Sequence, residues 1–335
     1  AIDYLTYLKS SYLGRLPYLL TSWLIFSLVM FTGAALAERM GWREARLPAA
    51  FVALGTAALT LFYLLSLFPV DFRWTGSFMI LSLCLFILYA SGADARKQTF
   101  AYLYPYIKTW GLFAVSYFTL LNLASNNLGH WEPNYRFWPA GWSSDNELPW
   151  FFAEAIRYGS SLKDLFGGGW RPTDRPPLMA GAHLLTSDSF SLLQSNNDGR
   201  YLRGHAYNAA ALALSTLWVP AAYWLMSIFN HRLTHRDRLS ILLILACIPL
   251  FIINSTYGWP KAFGAAFALM AFGVALLANK ENPSPASSRA LILFFPLAAF
   301  SVLAHPSSAP FVVPLTLLVI VQQFKHHKKY LLFGL

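Results

Sequence analysis

Charged residues are scarce in this sequence. Asp, Glu, Lys and Arg make up 12% of its 335 residues, whereas hydrophobic residues make up 56%. About 25% of the residues in a soluble domain are charged, so this composition excludes an ordinary soluble domain. The sequence therefore predicts an integral membrane protein in contact with a lipid bilayer.

Cysteine is almost absent, since the sequence contains only Cys84 and Cys247, both within apolar runs. Two such residues exclude a disulfide framework and a cysteine metal site. No spacing of His, Cys and carboxylate residues suggests zinc. The glycine run that begins at Gly167 lacks the Lys and Ser or Thr of a phosphate-binding loop.

Acidic residues are outnumbered by basic ones, which gives a formal charge of +10. Such a charge can indicate a nucleic-acid partner. Here the basic residues form short clusters between apolar runs, where membrane topology explains them better. We therefore expect no nucleic-acid partner.

About 20 mainly apolar residues are needed to cross the hydrocarbon core of a bilayer. By this criterion the sequence predicts an all-α transmembrane helical bundle of about nine spans. The spans are Pro17–Ala37, Ala49–Pro69, Gly76–Ser91, Gly111–Ser125, His205–Phe229, Leu239–Ile253, Lys261–Ala278, Leu291–Leu303 and Ala309–Phe324. They divide the chain into N-terminal helices (1–126), a long loop (127–204) and C-terminal helices (205–335). The sequence starts with Ala and stops just after a basic cluster, so we expect further spans in a longer protein.

The basic loops set the expected orientation, because cytoplasmic loops carry an excess of Lys and Arg. Five basic loops fall on one side if the nine spans alternate. They contain Arg39 to Arg46, Arg96 and Lys97, Arg232 to Arg238, Lys280 to Arg289, and Lys325 to Lys329. The long loop then lies on the outer side of the membrane, opposite these basic loops.

The long loop is rich in Trp, Phe and Leu, so we expect it to be ordered. A helix is predicted from Glu147 to Gly159, with Asp145 as N-cap, Pro149 in the first turn and Gly159 as the stop. A second short helix is predicted to begin at Pro177 or Leu178.

The carboxylates at the start of the first loop helix have two interpretations. Asp145 can simply cap the helix. Alternatively, Asp145 acts as a general base, or Asp145 and Glu147 together hold a divalent cation such as Mg²⁺ or Mn²⁺.

Asp174 and Arg175 lie in a segment stiffened by Pro172, Pro176 and Pro177. They can form a local ion pair, which contributes at most about 1 kcal/mol when exposed. Alternatively, Arg175 binds a phosphate, with Arg171 nearby, because the guanidinium group matches phosphate oxygens.

Two tight turns on the same predicted side carry further candidates. Lys261 follows Tyr257 and Pro260 at the start of a span, where it can extend its ammonium group to the interface or help to bind an anion. His305, at the end of another span, can be a hydrogen-bonded structural residue or part of the site.

The segments around these candidates resemble a known group of proteins. DNELPWFFAEAIRYG, DRPPLMAG, YGWPKAFGAAFAL and AHPSSAPF, between Asp145 and Pro314, resemble bacterial multi-pass proteins that are similar to GT-C glycosyltransferases. Proteins of this class use polyprenyl-phosphate sugars as donors.

The resemblance implies a helical membrane enzyme that transfers a sugar to an acceptor on the outer face. Asp145 would be the catalytic carboxylate, with Glu147 or Asp174 as its helper, and Arg175 and Lys261 would hold the lipid phosphate. In much of the class the acid lies in the first outer loop, whereas three or four predicted spans precede Asp145.

A different class of protein also fits the sequence. The chain can be a non-catalytic membrane subunit that docks a larger complex through the aromatic-rich loop, because interfaces favour Trp, Tyr and Arg. A transporter fits less well, because the spans show no inverted repeat and contain few charges.

Overall fold

The computed structural model describes residues 13–68, 75–124, 148–160, 177–191, 199–279 and 289–334. Regular structure within these ranges is helical throughout, which confirms the all-α prediction. The helices are α1 (Leu13–Arg39), α2 (Arg46–Leu67), α3 (Gly76–Ala90), α4 (Ala93–Ala124), α5 (Leu148–Tyr158), α6 (Leu178–Ser191), α7 (Gly199–Ser215), α8 (Trp218–Phe229), α9 (His235–Cys247), α10 (Pro249–Thr256), α11 (Lys261–Ala278), α12 (Phe294–Ala304) and α13 (Ala309–Gly334). Short 3₁₀ turns occur at Arg43–Ala45, Leu291–Leu293 and Pro306–Ser308.

The chain is a membrane protein by the length and apolar character of its helices. In the part of the chain that the structure describes, four stretches are long and apolar enough to span a bilayer: Arg15–Arg39, Arg43–Leu67, Tyr207–Phe229 and Lys261–Ala278. Two bent helix pairs, α3 with α4 and α9 with α10, raise the number to six if each pair is one span. Two shorter apolar helices coincide in position with the last two predicted spans.

The join between α3 and α4 differs from the sequence prediction. The sequence places Arg96 and Lys97 in a loop, whereas both lie in the first turn of α4, which meets α3 at a bend of 112°. Gly92 forms the bend with a φ of 84°. The Arg96 guanidinium donates to the carbonyl oxygens of Leu88 (2.9 Å) and Tyr89 (3.1 Å). It thus gives hydrogen-bond partners to carbonyl groups in the last turn of α3.

The predicted span Leu239–Ile253 is also bent. Helices α9 and α10 meet at 80°, and Ile248 between them is extended. The residue before a proline is disfavoured in helical conformation. Pro249 at the start of α10 therefore explains the break.

Small residues allow the central helices to approach closely. A Cβ atom at Gly33 of α1 would overlap the Ala49 carbonyl oxygen of α2, and one at Gly181 of α6 would overlap the Ala58 carbonyl oxygen of α2. Small residues at the contact let the backbones of two membrane helices approach closely, which increases the van der Waals packing between them. Helix α2 is therefore in close contact with α1 and α6.

The loop helix α5 forms as predicted. It begins at Leu148 and stops at Gly159, which has a φ of 67°. The backbone N–H of Ser160 donates to the Ala155 carbonyl (2.9 Å) and that of Gly159 to the Ile156 carbonyl (3.4 Å). These two bonds form a Schellman motif, in which glycine supplies the left-handed conformation.

Helix α6 begins at Leu178, as predicted, but it is enclosed by other helices. Every residue from Leu178 to Thr186 is buried. The partner of Gly181 is Ala58, which lies about 14 Å from the end of α2 at Leu67, given a rise of 1.5 Å per residue. The region predicted as an outer loop therefore contributes a helix to the interior of the bundle.

An ionic and aromatic chain links the helices at the end of the bundle that carries the basic turns. The Glu38 carboxylate of α1 forms ion pairs with the guanidinium groups of Arg43 (3.3 Å) and Arg46 (2.8 Å). The Arg46 guanidinium lies 3.8 Å from the centroid of the Tyr102 ring on α4. The Tyr102 ring contacts the Tyr106 ring at a tilt, and the Tyr106 ring meets the Tyr223 ring of α8 edge to face. The Tyr223 hydroxyl forms a hydrogen bond with His235 Nδ1 at 2.5 Å.

We predict that Gly181→Ala lowers the thermal unfolding midpoint in detergent, because the new methyl group would overlap the backbone of α2. Overpacking of this kind costs about 1–3 kcal/mol. Gly111→Ala is the matched control, since its Cβ would meet the Trp23 indole at 3.1 Å, and a side chain can shift. Equal midpoints for the two variants would contradict the close contact of α2 and α6.

Candidate functional site

Most of the site residues predicted from the sequence lie outside the described residues. These are Asp145, Glu147, Arg171, Asp174 and Arg175. Their roles stay predictions. The structure does describe the helices that follow them, because α5 begins one residue after Glu147 and α6 begins three residues after Arg175.

Both of these helices contact Tyr207 on α7. The Trp150 ring in the first turn of α5 stacks on the Tyr207 ring at 6.4 Å, and the His183 ring of α6 meets it edge-on at 5.1 Å. Tyr207 and His183 are almost completely buried. The two segments that carry the predicted acidic residues are therefore followed by helices that converge on one aromatic side chain.

Arg157, near the end of α5, is a buried charge in the same region. Its exposed fraction is 1%, and its guanidinium lies 3.4 Å from the Glu154 carboxylate. Buried charges in a membrane bundle are costly and commonly functional. The sequence analysis missed both Arg157 and His183, although Arg157 lies one helical turn after the buried Ala153 and is therefore on the apolar side of α5.

Lys261 is held by a turn between α10 and α11. Gly258, with a φ of 73°, allows the chain to reverse, and the Tyr257 and Trp259 rings pack edge to face at 4.7 Å. Ser215 of α7 donates to the Trp259 carbonyl oxygen at 3.4 Å. The Lys261 ammonium then lies 3.8 Å from the centroid of the Trp259 ring, a cation–π contact.

A cavity of about 270 Å³ lies beside Lys261. Its walls are mainly apolar and include Trp218, Leu250 and Phe251. Asn254 and Ser255 add polar groups, and the Trp218 indole N–H donates to the Ser255 hydroxyl at 3.0 Å. The cavity thus places an ammonium group next to an apolar space.

The start of α11 strengthens the positive potential at this cavity. The partial positive charge of a helix N-terminus favours an anion. Its N-cap is Pro260, whose side chain has no hydrogen-bond acceptor for the first amides. Chemically, the site suits an amphiphile with an anionic head and an apolar chain.

His305 lies at the same end of α11. Its Nδ1 accepts from the Ser307 backbone N–H at 3.1 Å and lies 2.7 Å from the Ser307 hydroxyl, so the ring caps the turn Pro306–Ser308. This turn packs on α11 beside Gly264, where a Cβ atom would lie 2.9 Å from the Ser308 hydroxyl. This geometry fits the interpretation of His305 as a hydrogen-bonded structural residue.

The Tyr207 cluster (Trp150, His183 and Tyr207) and the Lys261 cavity are separate features. Both contact α7, through Tyr207 and Ser215 respectively. Eight residues of helix place these positions about 12 Å apart along the axis. The structure therefore brings Tyr257, Lys261 and the His305 turn to one end of α11, at a distance from the helices that follow the acidic segments.

Within the described ranges, no group of three or more His, Cys, Asp or Glu side chains is arranged to hold a metal ion. Asp145 and Glu147, the predicted ligands for Mg²⁺ or Mn²⁺, lie outside those ranges. The metal site therefore stays a prediction from sequence.

Comparison of the chain with protein-family models, with curated proteins and with solved structures found no match. The helices define the class, which is a helical integral membrane protein. Its function has to be argued from its own residues and geometry.

Proposed function

We propose that the chain binds a polyprenyl-phosphate sugar and transfers the sugar to an acceptor at the outer face of a bacterial plasma membrane. The single observation that supports this proposal most directly is the Lys261 cavity. A lipid phosphate needs a cation for its head and an apolar wall for its chain. Lys261 and the walls at Trp218, Leu250 and Phe251 supply both.

The arrangement at Lys261 also suits a leaving phosphate. Negative charge develops on the phosphate as the bond to the sugar breaks, and a fixed cation stabilises that charge. Lys261 is held over Trp259, which limits the side-chain freedom that is lost on binding. In the proposed reaction Lys261 binds the phosphate and Arg175, with Arg171, assists it.

The acceptor side of the reaction rests on the sequence. A hydroxyl acceptor needs a general base. We assign this role to Asp145, with Glu147 or Asp174 as its helper and Mg²⁺ or Mn²⁺ as a cation that Asp145 and Glu147 would hold. These carboxylates precede α5 and α6, which meet at Tyr207.

The proposal includes a topology of nine spans with residues 131–205 on the outer side. Its support is the distribution of Lys and Arg, which puts five basic loops on the opposite side. Helix α6 falls in this stretch and is buried among other helices, so the proposal has part of the outer segment reach into the bundle.

Our prediction for the phosphate site is that Lys261→Ala weakens binding of a short-chain polyprenyl phosphate about tenfold or more, because a hydrogen bond to a charged group contributes about 1.5–3 kcal/mol. Lys261→Arg should keep most of the affinity, because the contact is a point charge. Native mass spectrometry of purified protein in detergent would measure the binding.

The control for this experiment is Lys97→Ala, an exposed lysine of α4. It should bind as the wild type does. Arg175→Ala should lose affinity if this residue assists Lys261. Equal affinity for wild type, Lys261→Ala and Arg175→Ala would overturn the phosphate site and favour the docking-subunit alternative.

For the catalytic step, we predict that Asp145→Asn abolishes sugar transfer and leaves the thermal unfolding midpoint unchanged. Asn caps a helix about as well as Asp, so the substitution removes the base and keeps the cap. Transfer of radiolabelled sugar from the lipid carrier would be measured in membranes. Full activity would remove Asp145 from the mechanism and direct attention to Asp174 or Glu147.

The topology predicts that a membrane-impermeant thiol reagent added to intact cells labels Ser143→Cys and not His231→Cys. His231 is exposed in the turn between α8 and α9. Cys247 is exposed and would first be replaced by Ser, whereas Cys84 is buried. Labelling at position 231 alone would reverse the orientation.

A further inference from the structure

Lys108 is a charged side chain within the apolar part of a candidate span. It lies on α4, three turns after Lys97, in the bent pair formed with α3. Its side chain is exposed, and none of the ion pairs among the described residues includes it. An ionisable residue at such a position points to a functional site.

The Lys108 ammonium lies beside the preceding turn of α4. It lies 5.8 Å from the centroid of the Tyr104 ring, one helical turn earlier on α4. The Arg46 guanidinium lies 3.8 Å from the centroid of the Tyr102 ring, two residues before Tyr104. Arg46 is the first residue of α2, so the ammonium lies close to the level at which that span begins. If the candidate span crosses a bilayer, phospholipid headgroups would occupy this level.

An apolar groove of about 390 Å³ runs between α1 and α4 beside Lys108. On α4 it extends from Phe100 to Val115, which is about 22 Å at a rise of 1.5 Å per residue. Leu20 and Tyr104, on its walls, are 41% and 51% exposed, so the groove lies on the lipid-facing surface. From the level of Tyr104, beside which the Lys108 ammonium lies, to Val115 the groove measures about 16 Å, enough for most of an extended acyl chain.

The bottom of the groove is formed by a small residue and a large one. Gly111 on α4 has no side chain, and the Trp23 indole of α1 lies against its backbone. Leu20 and Ile107 continue the apolar wall. Any side chain at position 111 would narrow the groove and press on the indole.

We propose that this groove binds an acyl chain of an anionic glycerophospholipid, whose phosphate group pairs with Lys108. The argument is charge complementarity, since one cation lies at headgroup level at the side of an otherwise apolar groove. The site is independent of the proposed transferase function, because it involves neither Lys261 nor the residues around Asp145.

The test is a lipid titration of delipidated protein in detergent, followed by native mass spectrometry. Phosphatidylglycerol and phosphatidylcholine with identical acyl chains would be compared. We expect the wild type to prefer phosphatidylglycerol. Lys108→Gln should lose about fivefold in affinity for phosphatidylglycerol, the effect of one basic residue near an anionic lipid, and lose less for phosphatidylcholine, because its choline ammonium offsets the charge of the phosphate.

Four further variants sharpen the result. Lys97→Gln, on the same helix, should bind both lipids as the wild type does, and Lys108→Arg should keep the preference. Val115→Trp should weaken the binding of both lipids, because the indole ring would fill the groove. Lys261→Ala should leave the preference unchanged, which separates this site from the proposed phosphate site.

Equal affinity of the wild type for the two lipids, or an unchanged preference in Lys108→Gln, would overturn the proposal and leave an ordinary interfacial lysine. Unaltered binding in Val115→Trp would show that no chain enters the groove. Circular dichroism of each variant would establish that it remains folded.

Discussion

The hydrocarbon core of a membrane supplies no water to a peptide group, so every backbone N–H and C=O within it needs a partner in the protein. This constraint accounts for the helical structure and for the chemistry of its interruptions. Where α3 ends, the Arg96 and Arg39 side chains donate to carbonyl groups of its last turns.

The candidate site at Lys261 follows from another interruption. Pro249, Gly258 and Pro260 break the chain around one short helix, and each break exposes polar backbone. In a bundle of apolar helices such breaks are the places where an anion or a polar substrate can be bound. Lys261 and Lys108 differ in this respect. Lys261 lies at the start of a helix, beside such a break, whereas Lys108 lies inside a continuous helix, from which its flexible side chain would have to reach the membrane surface.

Local features of the fold were predictable from the sequence. The end of α5 could be predicted because Gly159 is a local signal, and the end of α8 at Phe229 because an apolar run stops there. The burial of α6, of Arg157 and of His183 could not be predicted from the sequence, because it depends on which helices surround these residues. For the site, the sequence indicated the turn at Lys261, but the neighbouring cavity is formed by Trp218 and Phe251, which come from other helices.

The enclosed helix α6 has a consequence for biosynthesis. Its 14 residues give a length of about 21 Å, too short to cross a bilayer, and it contains His183 and Thr186. It therefore has little tendency to enter the membrane by itself as it leaves the ribosome. Its contacts with α2 require a helix made earlier, and its contact with Tyr207 requires one made later. The contacts that bury α6 in the centre of this protein are consequently complete only after α7 has been synthesised.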